Sequence, residues 1–138
     1  MKLRLLASIA VFAAVAVPVA GAQAKGKPSS HCARVAVVLK GSVTAAPGAG
    51  ATQFSMNVMH ASHHGKSLVG QSVTITTDSK TKIVRLGKKT DLSSLQANDR
   101  VNVLLKVCNK DLPLNPATLA AIPAKRVTAT VAGKGFKP

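Results

Sequence analysis

From residue 34 onward, apolar and polar side chains alternate through most of this chain. In 34–43, Val35, Val37 and Leu39 alternate with Ala36, Val38 and Lys40. Both sides are apolar at first, as in a strand buried within a barrel or sandwich. Gly41 interrupts the pattern and predicts a bulge or sharp bend. In 52–59, Phe54, Met56 and Val58 share one face and Gln53, Ser55 and Asn57 the other, a period of two. Residues 68–77 predict a third strand, with Val73 and Ile75 opposed to Thr74 and Thr76. After a turn at Asp78-Ser79-Lys80 the chain extends again over 81–86, and Gly87-Lys88-Lys89 reads as a second turn. Val101, Val103, Leu105 and Val107 alternate strictly in 100–108, and Val127, Ala129 and Val131 mark a last strand in 124–131.

Helical signals are sparse. Thr90 or Asp91 can cap a short turn in 90–98, where Leu92 and Leu95 lie three apart and Asn98-Asp99 ends the pattern. Pro113, Pro116 and Pro123 argue against regular structure in 111–123. The pattern predicts an all-β fold: a small five- or six-stranded OB-like barrel with one short helical turn. The domain covers 34–132, between a flexible lead-in at 25–33 and a basic tail at 133–138.

The N-terminus changes the picture. Lys2 and Arg4 precede an apolar stretch from Leu5 to Val17, and Ala22-Gln23-Ala24 supplies the small-x-small pattern that a signal peptidase cuts. Residues 1–24 are expected to be a signal peptide, so the protein is expected to be secreted or periplasmic. No later run is long and apolar enough to suggest a transmembrane segment after cleavage. Export also gives meaning to the two cysteines. An oxidising compartment favours a Cys32–Cys108 disulfide, which would tie the start of the first strand to the end of a late one.

Charge is lopsided, with 19 Lys and Arg against 4 acids, all Asp, for a formal net charge of +15. Without Lys2 and Arg4 it is still +13. Such a surface attracts anionic polymers over distances set by salt screening. The cations are scattered along the chain and not gathered in one run, which is the pattern of a solvated basic surface.

Several segments together resemble a known family. Val73-Thr74-Ile75, Thr81-Lys82-Ile83, the stretch from Asp91-Leu92 through Leu95 and Asn98-Asp99-Arg100 to Val101-Asn102-Val103, and Ala124-Lys125-Arg126-Val127 are similar to a family of small exported bacterial domains of unknown function. Lys40-Gly41-Ser42-Val43 supplies part of that family's opening motif. The resemblance covers about residues 34–131 and implies an OB-like barrel. It implies no chemistry, because fold does not entail function. Asn98 stands where the family usually has Gly, and Asn tolerates the left-handed backbone such a turn needs. Leu92 and Leu95 are expected to plug the barrel end.

The most suggestive chemistry lies in Met56, Met59, His60, His63 and His64, within nine residues. Thioether and imidazole suit copper, with Met favouring Cu(I). Some exported OB-like proteins carry copper through Met and His, although with a Trp that this chain lacks. Met56 shares the apolar face of Phe54 and Val58, which leaves Met59, His60, His63 and His64 as candidate ligands. No cofactor other than copper is suggested. Nucleic acid is disfavoured, because Phe54 is read as core and the chain has no Tyr or Trp to stack on bases. No catalytic residue is assigned: the four Asp fall at turns or caps, and no nucleophile elbow or phosphate loop is present. The expected role is a non-enzymatic binding or accessory module. The rivals are a copper-binding protein and a basic envelope protein held to anionic polymers.

Overall fold

Alternation becomes architecture through burial. Along the first strand Val37, Leu39 and Val43 are sealed from solvent while Ala36 and Lys40 are exposed. The computed structural model describes residues 32–133. The expected signal peptide (1–24), most of the lead-in and nearly all of the basic tail lie outside these residues. The strands are, in chain order, β1 (Arg34–Val43), β2 (Gln53–Ala61), β3 (Ser72–Thr76), β4 (Lys82–Arg85), β5 (Lys88–Thr90), β6 (Arg100–Cys108) and β7 (Arg126–Thr130). They form one sheet in the order β3-β2-β1-β6-β7-β4-β5, antiparallel except where β4 runs parallel to β7. The fold is all-β, as the alternation predicts.

The sheet is curled into a half-barrel. β3 is an outermost strand at one end, yet only residues 77–81 separate it from β4 near the other end. Those ends must therefore approach each other. A parallel bridge from Thr76 to Pro123, and the Ala124 N–H donating to the Thr76 carbonyl at 2.8 Å, join β3 to the segment leading into β7. The concave side holds one core, including Leu39, Met56, Ile75, Val103, Leu105 and Val127. Leu92 and Leu95 are buried in it, as expected for residues closing the barrel end.

Gly41 marks a bulge. Lys40 pairs with His60, but Gly41 pairs with Val58, so Met59 is the extra residue of β2. A Cβ on Gly41 would stand 1.8 Å from the Asn57 carbonyl oxygen, which only glycine avoids. Asn98 takes φ +67°, the left-handed conformation its side chain tolerates. The Asn98 N–H then donates to the Val43 carbonyl at 2.8 Å.

Three expectations need correction. There are seven strands, not five or six. The pattern puts Lys88 and Lys89 in a turn and Thr90 at a helix cap, but Leu86 and Gly87 both have positive φ and make a tight two-residue hairpin that returns β5 (Lys88–Thr90) onto β4. Leu86 carries no turn signature, so the hairpin was hidden. The third strand begins at Ser72, because residues His63–Leu68 form a 3₁₀ turn that drops Leu68 into the core. In 90–98 only Leu92–Ser94 coil, as a 3₁₀ turn. The α-helix, α1 (Pro116–Ala120), lies in the proline-rich connection. Pro116 opens it, where a missing N–H costs nothing, and the Asn115 side chain caps it by accepting from the Thr118 N–H at 2.7 Å.

Candidate anion-binding face

Because β-strand side chains alternate, every strand that lines the core presents its other residues on the convex side. On β1, β6, β7, β4 and β5 those residues include Arg34, Lys40, Lys106, Arg126, Lys82 and Lys89, all exposed, and the half-buried Arg100. No acid is among them. Strand register brings together cations that are far apart in sequence. Lys40 stands opposite His60 on β2 and Asn102 on β6, and Asn102 stands opposite Thr128 on β7. One row along, Val38 stands opposite Leu104, Leu104 opposite Arg126, and Arg126 opposite Lys82 on β4. Like charges in direct cross-strand register are unfavourable by a few tenths of a kcal/mol, up to about 1. An anion between Lys82 and Arg126 would reverse that sign.

The four Asp all lie off the strands, and Asp111 reaches the edge of the face, where it lines a groove with Arg34 and Lys106. Asp78 accepts from the Lys80 N–H and the Thr81 hydroxyl in a loop. Asp91 accepts from the Ser93 hydroxyl, and Asp111 lies in a 3₁₀ turn. Asp99 is buried, with 2% of its surface exposed. Its carboxylate accepts from Arg85 Nε at 2.8 Å, from the outer Arg85 nitrogen Nη2 at 3.2 Å and from the Gln96 N–H at 2.9 Å. Burial by itself pushes the Asp99 carboxyl up, but the hydrogen bonds from Arg85 and Gln96 and the guanidinium charge outweigh it. The group titrates below its ordinary value. This pair points inward at the end of β4 and pins the turn that starts β6. Sequence reasoning placed Asp99 in that turn but missed Arg85, because nothing local links two residues fourteen apart.

Two shallow depressions cross the outer face and meet at Val38. One, about 510 Å³, is lined by Val38, Lys40, His60, Ala61 and Ser62. The other, about 230 Å³, is lined by Val38, Asn102, Leu104, Arg126 and Thr128.

The candidate metal ligands are divided. His60 lines the first depression beside Lys40. Met59, thrown outward by the bulge, is 44% exposed, and its sulfur lies 4.0 Å from the Arg100 guanidinium. His63 and His64 sit in the 3₁₀ turn with rings at right angles, 5.1 Å apart, and line a separate groove with Ser67, Asn109, Leu112 and Pro113. Among the described residues no group of three or more His, Cys, Asp or Glu side chains is placed to hold a metal ion. Cys32 and Cys108 form the expected disulfide, with Cα atoms 5.4 Å apart, at the open end of the β1–β6 pair. Among the described residues no helix is long and apolar enough to cross a membrane. No protein-family model, curated protein or solved structure matches this chain.

Proposed function

We propose that this protein is an exported, non-enzymatic binding module that holds an anionic polymer on the convex face of its curled sheet. One observation carries the reading: seven strand-borne cations share that face and its strands bear no acid, Asp111 reaching only the edge where it lines a groove with Arg34 and Lys106. A surface of one sign draws in polyanions and releases their counterions on binding, so affinity falls steeply with salt. The Cys32–Cys108 disulfide supports a secreted or periplasmic location, where such bonds persist. The basic n-region and apolar stretch of residues 1–24 support the same location, as does the resemblance to small exported domains with OB-like barrels.

The test is equilibrium binding of the purified protein to long-chain polyphosphate across a salt series. Saturable binding that weakens log-linearly with salt is expected. No saturable binding at low salt would overturn the reading. Export has its own check: protein recovered outside the cytoplasm should begin at Lys25 and contain no free thiol. Cytoplasmic protein that retains Met1 and two free thiols would remove the exported part of the proposal.

A further inference from the structure

The binding reading gives the face a sign, and the two depressions give it a shape. Val38 lines both, and end to end they trace a trough across β2, β1, β6 and β7. Its floor is aliphatic: Val38 and Leu104 are in-register neighbours, both half-buried. Lys40 stands toward the β2 end, beside His60, and Arg126 toward the β7 end. β6 lies between their strands and they are offset by two residues, which places their Cα atoms about 12 Å apart from strand spacing and rise. Between them lie uncharged hydrogen-bonding groups, Asn102 and Thr128, in the same cross-strand row as Lys40.

Each feature narrows the ligand. Cations at both ends require negative charge at more than one point along it. A row of ammonium, amide and hydroxyl on three adjacent strands suits a tetrahedral oxyanion, whose oxygens accept from several directions. A planar carboxylate offers fewer. The aliphatic floor suits the unit that links one anion to the next. No Phe, Tyr or Trp lines either depression and His60 is the one ring among the lining residues, so successive nucleobases would lack a row of stacking platforms.

We infer that the trough from Lys40 to Arg126 binds a linear chain carrying phosphate groups within its backbone and no aromatic units. The aliphatic floor selects polyol-phosphate polymers among such chains, because inorganic polyphosphate has only bridging oxygens between its phosphates. The inference rests on the proposed anion-binding role of the face and adds the place and the ligand class.

The experiment uses fluorescently labelled polyphosphate and poly(glycerol phosphate) of matched charge number, titrated with the purified protein. Oligothymidylate and a carboxylated glycan serve as competitors. Lys40→Ser combined with Arg126→Ser should weaken binding of poly(glycerol phosphate) about tenfold and lower the salt slope by roughly one per lost phosphate contact. Lys66→Ser combined with Lys110→Ser removes the same charge from the 3₁₀ turns and should change affinity less than about twofold. Poly(glycerol phosphate) should bind more tightly than inorganic polyphosphate, and equal or weaker binding would overturn the role given to the aliphatic floor. Circular dichroism and thermal melts check that all variants fold. Equal losses in the two double variants would overturn the trough while leaving the anion-binding face intact. Oligothymidylate or the glycan competing as well as unlabelled polyphosphate would overturn the ligand class. Failure of the unaltered protein to bind any polyanion would instead overturn the proposed function itself.

Discussion

The two faces of the sheet are built from the same strands and share almost nothing else. On the concave face of β1 and β6, Val37, Leu39, Val101, Val103, Leu105 and Val107 are sealed from solvent. On the convex face of the same strands, Lys40, Arg100, Asn102 and Lys106 alternate with them. The concave face also tolerates an ion pair, Arg85–Asp99, and satisfies it with three hydrogen bonds. The convex face does the opposite, placing Lys82 and Arg126 in register with no acid beside them. A buried charge must be paired to be tolerated, whereas an exposed one is solvated and remains available to a ligand. Stability and recognition are thus assigned to alternate residues of one set of strands, and substitutions should separate the two properties.

The largest effect should come from the covalent link at the edge of the core. Replacing Cys32 and Cys108 together with Ser opens a loop spanning 76 residues and should cost about 4 kcal/mol in denaturant unfolding. Next is Leu105→Ala, which leaves a cavity in the concave face and should cost about 3 kcal/mol. Polyanion affinity of the fraction that stays folded should be unchanged in both. A large affinity loss there would mean the two faces are not independent.

Asp99→Asn should cost roughly 2 kcal/mol, because it leaves the half-buried Arg85 guanidinium without its charge partner. The pH dependence sharpens this. The folded pKa of Asp99 is depressed, so the pair's contribution is fully present above the ordinary carboxylate value of 3.8 and is lost as pH falls through the lower folded value. Melting temperature of the parent protein should therefore decline more steeply below about pH 4 than that of Asp99→Asn. Parallel acid profiles would show that the ion pair contributes nothing. The smallest effect belongs to the convex face: Lys82→Thr should leave stability unchanged or raise it by a few tenths of a kcal/mol, by relieving repulsion from Arg126. A destabilisation above about 1 kcal/mol would show that Lys82 has a structural role that the register does not reveal.

Local pattern made much of the fold legible. Period-two alternation located β1, β2 and β6 within a residue or two, since burying one face demands it. Gly41 announced its bulge and Asn98 its left-handed turn, because both are backbone requirements met by one residue. The cysteine pair was legible from the even count and the expected export. What escaped lacked a local signature. The β4–β5 hairpin turns on a Leu with positive φ, and α1 begins at a proline that otherwise argues against helix. The His and Met cluster looked like one site because its members are close in sequence. The structure instead buries Met56, leaves Met59 exposed at the bulge, and places His60 in one groove and His63 and His64 in another.

The sequence by itself determined which side chains are hidden, because hydrophobic periodicity is a property of neighbours along the chain. It also set the net charge and the disulfide partners. Only the tertiary structure decided where the charge lies. Lys40, Lys82 and Arg126 are more than forty residues apart from one to the next and form no basic run. Hydrogen-bonded register, set by burial of the opposite face, fixes their positions side by side. Scattered cations thereby become one continuous surface, since a strand that turns one set of residues to the core has no choice about where it turns the other.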